Sequence, residues 1–526
     1  MSQTPSFINR PNPDDPKWVK IPESDRVYNR NLILVVLLIP LAMSLIQVSS
    51  VNVALETIGQ ALGASQSAIQ WVLSGYALSF GIFLVPSGRL GDIFGRSGVF
   101  TIGLALFTIA CTACGFATSP TMLNGFRILQ GIAAGIFSPQ VTGIIQQYFQ
   151  GQARARAFSM FGLVIGASVA VGPLFAGLLI DQLGPQNGWR SSFLFNLPLG
   201  IIGVIAALRL LPFGKERRHF GAVRKLKRNR TTSKGVAPSK ANASPATEKV
   251  DLDPVGILLL AVGVLCVMLP FISHGHPLMW SLLPLAIVIT VVWVWWENRY
   301  KRRGHFPMVD LSLFKLKSFS YCAAISATQF LGTTSLFVIF AIYLQGGLGK
   351  SALLTGAIGI PNAVVSAVAA LWSGKHALRS GRQVQILALS LLLAGVLTLI
   401  GVVWAVHNGA SFWWLCIPLM IFGFGQGSMG AANQTQAMLD VPVEHGGIAG
   451  GITQTAQRIT TAIGNAVTTA IFFAVVGNQR TASRWDWSMG ISAAYVLIAS
   501  VLAVSLVIAI LYWWDLAGKR PRNRKK

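Results

Sequence analysis

Two arginines, Arg127 and Arg458, lie inside long apolar stretches of this chain, whereas all 17 Asp and Glu fall at the ends of such stretches, in loops or in the tails. An ionisable group held among apolar residues at membrane depth is costly and marks a functional candidate. A buried arginine can attract an anion, bias the proton affinity of a nearby carboxylate, or serve as a hydrogen-bond hub for backbone carbonyls. The carboxylates placed to respond are Glu56 and Asp181, each at the end of an apolar stretch. Six amides, Gln47, Asn52, Gln130, Asn196, Gln329 and Gln457, interrupt apolar runs and are expected to face the protein interior, because unpaired amides avoid lipid. Other chemistry finds little support. His274 and His276 form an HxH pair with no third ligand nearby, so no metal site is expected. Cys111 and Cys114 form a CxxC on one continuous apolar helix and read, like Cys266, Cys322 and Cys416, as small buried hydrophobes. An enzyme is not expected.

The elements that must position these groups are membrane helices. Hydrophobic residues make up 53% of the chain, charged residues 11%, and the mean hydropathy is +0.59. At about 20 residues per crossing, about fourteen spans fit between Asn31 and Trp514. They fall at 31–55, 68–88, 98–118, 121–147, 155–181, 190–213, 252–273, 279–299, 319–344, 353–373, 384–405, 412–437, 447–475 and 487–514. The polar start, with Pro11, Pro13, Asp14, Asp15 and Pro16, is not a signal peptide. An even number of spans puts both basic termini on one side. If that side is the cytoplasm, only Arg190, Lys350, Arg480 and Arg484 of the 42 Lys and Arg lie outside, as the positive-inside rule requires. Tryptophans near span ends, such as Trp189, Trp280, Trp413 and Trp514, suit the headgroup layer.

The expected organisation is a cytoplasmic tail (1–30), a six-helix bundle (31–213), a basic linker (214–250), two inserted spans with a basic loop (251–318), a second six-helix bundle (319–514) and a basic tail (515–526). The formal net charge of +25 sits mostly in the inner loops and linker. It is accounted for by anionic lipids of the cytoplasmic leaflet and needs no nucleic-acid partner. The Ser/Thr/Pro/Ala-rich linker reads as disordered.

The two halves repeat. Ser87-Gly88-Arg89-Leu90-Gly91-Asp92-Ile93-Phe94-Gly95-Arg96 follows the second span, and Ser373-Gly374-Lys375-His376-Ala377-Leu378-Arg379-Ser380-Gly381-Arg382 follows the tenth. In the first copy, glycines permit a tight turn and Asp92 can pair with Arg96 or complement a helix N-terminus. Such a cluster can hold two bundles together in one state and release them in another. This segment resembles the signature loop of the major facilitator superfamily, with Gly88, Leu90, Asp92, Gly95 and Arg96 in place. Further segments resemble its fourteen-spanner drug:proton antiporter branch. Arg127-Ile128-Leu129-Gln130-Gly131 resembles the R-x-x-Q-G pattern whose arginine is associated with proton transfer. Gly172-Pro173-Leu174-Phe175-Ala176-Gly177 resembles the antiporter motif, with Ala176 for one glycine. Gly188-Trp189-Arg190 through Asn196-Leu197-Pro198-Leu199-Gly200, Tyr343-Leu344-Gln345 and Gly446-Gly447-Ile448-Ala449-Gly450 match other stretches of that branch.

The resemblance implies an all-α polytopic protein in which two six-helix bundles rock about a central site, with two extra spans between them. It implies export of amphipathic small molecules in exchange for protons, with the proton gradient as energy source and no cofactor. Gly88, Asp92, Gly95 and Arg96 would form the gating loop, and Gly172, Pro173 and Gly177 the antiporter motif. Residence in a bacterial-type plasma membrane and a monomeric state are expected.

One departure bears on coupling. Where that branch carries a buried aspartate in the first span, this chain has Gln47, and Glu56 replaces the closing proline. Glutamine does not titrate near neutral pH. Three accounts follow: Glu56 carries the proton under the influence of Arg127, Asp181 carries it, or no carboxylate is coupled and the protein is a uniporter or flippase. Without an acidic group, the cavity lined by the amides and Arg458 would be wet and weakly positive. It would suit neutral or anionic amphiphiles, an anionic or lipidic native compound included, at least as well as cationic dyes.

Overall fold

The computed structural model describes residues 18–21, 24–213, 253–272, 277–305, 307–477 and 481–517. The basic linker, the His274/His276 pair and the outermost parts of both tails lie outside these residues. The core is helical: α1 (Arg30–Leu62), α2 (Gln66–Phe94), α3 (Arg96–Gly115), α4 (Pro120–Tyr148), α5 (Gly151–Leu194) and α6 (Asn196–Leu210) form the first half. Two further helices, α7 (Pro254–Ile272) and α8 (Leu282–Arg302), precede the second half. That half comprises α9 (Lys317–Ile342), α10 (Ala352–His407), α11 (Cys416–Ala437), α12 (Gly446–Val476) and α13 (Arg484–Ala517).

Local sequence sets many of these boundaries. Ser65, Ser119 and Ser351 each accept a backbone N–H in the first turn of α2, α4 and α10, and Pro120 opens α4 where its missing N–H costs nothing. Gly63, at φ 59°, closes α1 in the left-handed region. One element departs from the all-helical expectation. Trp18–Ile21 and Ser24–Asn29 form an antiparallel hairpin before α1, pairing Val19 with Tyr28 and Lys20 with Val27. Its aromatic and β-branched residues favour extended backbone.

Among the described residues, twelve helical runs have the length and apolarity to cross a membrane, with 151–210 and 354–407 each counted once. Those two runs do not cross straight. α5 breaks at Gly184 (φ 77°, ψ 165°), and beyond the break Gly188 lies against Leu179 and Ile180 of the same helix. In α10 the break is at Ser380 (φ −130°, ψ 24°). Before it, Asn362 and Ser366 meet Gly423 and Gly427 of α11 in parallel order; after it, Ala388 and Gly395 meet Gly425 and Phe422 in antiparallel order. The chain reverses at both points.

Two separate apolar cores mark two bundles. One is drawn chiefly from α1–α4, with Phe158 of α5 and Ala207 of α6, and runs across the seam to Met438, Val441, Ile448 and Ala449 of the second half; the other is drawn from α9–α13. Ile102 and Ile109 of α3, Ile202 and Leu208 of α6, and Ile287 and Val291 of α8 point outward and exposed, as side chains facing lipid would.

Candidate functional site

The halves meet through paired close approaches that follow the sequence repeat. A Cβ on Gly88 would lie 2.6 Å from the Gly447 carbonyl oxygen of α12, and one on Gly374 would lie 2.6 Å from Ser159 Oγ of α5. Only glycine, without a Cβ, admits approaches this close. Around the first approach Asp92 and Arg96 form a latch. Arg96 grips Asp92 Oδ1 from Nε (2.8 Å) and Nη2 (2.7 Å) and donates to the Gly143 carbonyl (2.6 Å) and Gln147 (3.1 Å) of α4. Across the seam, Arg96 Nη2 donates to the Val443 carbonyl (2.6 Å), and the Ile448 N–H donates to Asp92 Oδ2 (3.2 Å). The second bond matters because α12 has no side-chain cap of its own. A carboxylate from the other half supplies the acceptor that its first turn needs. Gly95, at φ 110°, turns the chain so that Arg96 faces Asp92.

Further bonds join the halves at the same end. Gln146 donates to the Met438 and Val441 carbonyls, Gln152 to the Gly374 and Lys375 carbonyls, and Ser159 to the Ala370 carbonyl. Deeper in, Ser138 donates to Gln454 and Thr455 to the Gly81 carbonyl. Toward the other end a Cβ on Gly356 of α10 would lie 3.6 Å from Leu174 of α5, an apolar contact, whereas one on Gly177 or Gly359 would meet nothing within 4 Å, and Asn52 is exposed. The molecule is fastened at the latch end.

The arginines lie deeper. Arg127 is fully buried inside the first bundle. It donates from Nε to the Val72 carbonyl (2.8 Å) and from Nη1 to Gln130 (2.6 Å), and it stacks 4.4 Å from the Tyr76 ring. Gln130 in turn donates to Cys111 Sγ at 2.9 Å. On the facing half, Arg458 lies 4.5 Å over Phe80, whose ring is 5.8 Å from Tyr76. A row of guanidinium, ring, ring and guanidinium thus crosses the seam, and no carboxylate bonds to either arginine among the described residues.

The sequence model of the Major Facilitator Superfamily matches residues 37–465 and, in a second match, 322–526. The chain belongs to this superfamily. A probable actinorhodin transporter of Streptomyces coelicolor is 32% identical over 449 residues, covering 84% of this chain and 72% of that relative. The methylenomycin A resistance protein of Bacillus subtilis is 26% identical over 498 residues, 92% of this chain and 94% of its own length. Among solved structures, the proton:xylose symporter XylE superposes with a TM-score of 0.60 at 14% identity, covering 92% of this chain and 95% of its own, a likeness of fold alone.

Within this facilitator the other sequence-chosen residues fall in separate places. Gln47 and Asn196 are fully buried and bond to each other, Asn196 Nδ2 donating to Gln47 Oε1 at 2.7 Å. With Gln130 they lie inside the first bundle instead of on a wet surface, the Gln47–Asn196 bond meeting part of their need while Gln47 Nε2 and Asn196 Oδ1 stay buried without a partner among the described residues. Asn52 is exposed on α1, Gln329 is buried in α9, and Gln457 donates to Ser326 within the second half at 2.7 Å. Gly172 packs against Ser49 and the Ile46 carbonyl of α1, and Ser50 donates to the Gly172 carbonyl at 2.9 Å, so that part of the motif with Pro173 is a helix–helix contact. Asp181 is exposed just before the Gly184 reversal. Glu56 lies within α1, and its side chain falls outside the described residues.

Sequence reasoning missed Tyr76 and Phe80, which look like ordinary apolar positions of α2. It also missed a buried acidic neighbourhood at the inserted helices. Asp253 caps α7 through the Gly256 N–H (2.9 Å) and accepts from Trp296 (2.9 Å), while the buried Glu297 of α8 lies beside it. Both residues stand at span ends, where a carboxylate ordinarily meets water. In the following loop Asp310 accepts two bonds from Lys301 and caps Ser312. Partial burial pushes its pKa up, but these bonds outweigh burial and hold it at about 2.

Proposed function

We propose that this facilitator is a proton-driven exporter of amphipathic small molecules working by alternating access. Taking Gly184 and Ser380 as membrane turns gives about fourteen crossings, since a straight helix of 44 or 56 residues would be about 66 or 84 Å long at 1.5 Å per residue. Both termini and the latch lie on the cytoplasmic side of a plasma membrane. The observation that carries the reading is the one-ended fastening. Asp92 and Arg96 hold the halves together at the latch end, while the outer end stays loose, as in one limit of a rocking cycle. The resistance and antibiotic-transporter names of the relatives support the substrate class.

Arg127 is the coupling residue in this proposal. Its full burial without a carboxylate partner among the described residues leaves a charge ready to bias a nearby acid, with Glu56 or Asp181 as proton carrier. Gln47 cannot take that role. The protein works as a monomer without a cofactor, and its basic loops rest on anionic lipid.

The test is proton release from acid-loaded inverted vesicles on addition of cationic, neutral and anionic amphiphiles. Release that disappears in Arg127→Ala, with expression retained, is expected. Full release in the variant would remove Arg127 from coupling, and amphiphile uptake without proton release would leave an uncoupled transporter.

A further inference from the structure

Arg458 differs from Arg96 of the latch and from Arg127 of the first bundle. Arg96 and Arg127 have each of their bonds described above, but no hydrogen bond or ion pair engages the Arg458 guanidinium among the described residues. The side chain is half-buried, twelve residues into the 31-residue α12, and none of its nitrogens is sealed off from solvent-accessible space. The lipid side of this seam is covered: Met268 of the inserted helix α7 packs on Gly81, beside Arg458 Cβ, and with Val264 it contacts Leu78, Ile459 and Ala462. The remaining open surface of Arg458 therefore belongs to the space between the halves. One helical turn earlier on the same face, Gln454 keeps its buried Nε2 without a partner among the described residues.

From this geometry we infer that Arg458 is the receptor for a planar aromatic or conjugated anion, a carboxylate or phenolate, entering from the loose end. The inference rests on the export reading and deepens it by fixing the charge of the cargo. Guanidinium edges pair with carboxylate oxygens in a fork, and guanidinium faces stack on flat π-systems. Phe80 already sits on one side, its ring centre 4.5 Å from the guanidinium carbon, which leaves the other sides for a ligand. A cationic ligand would meet Arg458 and, beyond Phe80 and Tyr76, Arg127, with no described carboxylate to offset them. An uncompensated arginine at this depth is costly, and a bound anion removes that cost.

The test uses the full chain in lipid nanodiscs and three probes of one shape: 2-naphthoate, 2-naphthamide and 2-naphthylmethylammonium. Binding is read from probe fluorescence. Naphthoate is expected to bind at least about tenfold more tightly than naphthamide, with the ammonium weakest. Arg458→Gln should bring the naphthoate-to-naphthamide ratio to within about twofold, and Arg458→Lys should retain part of it as a charge without a plane. Unchanged melting and size-exclusion profiles establish that both variants fold. Equal binding of the three probes, preference for the ammonium, no binding at all, or an undiminished ratio in Arg458→Gln would each overturn the assignment. Export is read separately as uptake of ethidium and naphthoate by energised inverted vesicles. Arg458-dependent naphthoate binding without uptake of either would refute export and leave the anion site standing.

Discussion

Removing the Asp92 carboxylate should open the latch end. Of its bonds, those to Arg96 stay within the first half and survive rocking, whereas the Ile448 N–H bond crosses the seam and exists only while that end is closed. A hydrogen bond to a charged group contributes about 1.5–3 kcal/mol, and a charge at a helix N-terminus adds about 0.3–1 kcal/mol in exposed settings. Arg96 would keep its bonds to Gly143 and Val443, so part of the fastening remains. A net loss of about 2 kcal/mol follows, or about a 30-fold shift in the closed-to-open ratio. The assay is electron–electron distance measurement between spin labels at Gln150 and Leu439, on opposite halves near the latch. Asp92→Ala should add a long-distance population that the parent lacks, and Asp92→Asn, which keeps an acceptor but no charge, should add a smaller one. Turnover should slow in both without loss of binding. Identical distance distributions in the parent and Asp92→Ala would refute the claim that this carboxylate holds the halves together.

Other contacts make further predictions. Gly172→Val would drive a side chain into Ser49 and the Ile46 carbonyl, and folded yield by size-exclusion should fall sharply; a normal yield would mean that α1 and α5 separate at no cost. Arg190 donates to the Gly115 and Ala117 carbonyls at the end of α3 (3.1 and 2.6 Å) and stacks on Trp189, so Arg190→Ala should destabilise by about 1–3 kcal/mol, seen as a lower melting temperature with the latch intact. Gln47→Asp would place a second titratable group against the Asn196 amide donor, and the pH profile of transport should shift or gain a further step relative to the parent; an unaltered pH profile would show that this position does not communicate with the cargo path.

Much of this architecture was legible along the chain because its causes are local. A crossing needs only a long apolar run, so most helices lie where hydropathy put them, and the serine caps and Pro120 mark several starts. The 88–96 segment disclosed a latch because the spacing of its glycines, aspartate and arginine already limits their geometry. The hairpin before α1 was hidden by a polar, proline-containing tail whose pairing depends on residues across a turn.

The site was less legible, since its meaning depends on contacts between distant segments. Sequence alone determined that two arginines sit at membrane depth, that Gln47 does not titrate, and that the loop after the second span has a partner-seeking aspartate. Only the tertiary structure decided which partner. Asp92 reaches Ile448, a residue 356 positions away, because α12 lacks a cap. Gln47, Gln130 and Asn196 turn into the first bundle because buried amides must find one another or another donor or acceptor. Arg127 found a carbonyl, an amide and a ring, whereas Arg458, no different from it in sequence terms, was left with a ring and open space. Burial and pairing depend on what the rest of the fold brings to each side chain, and hydropathy along the chain does not carry that information.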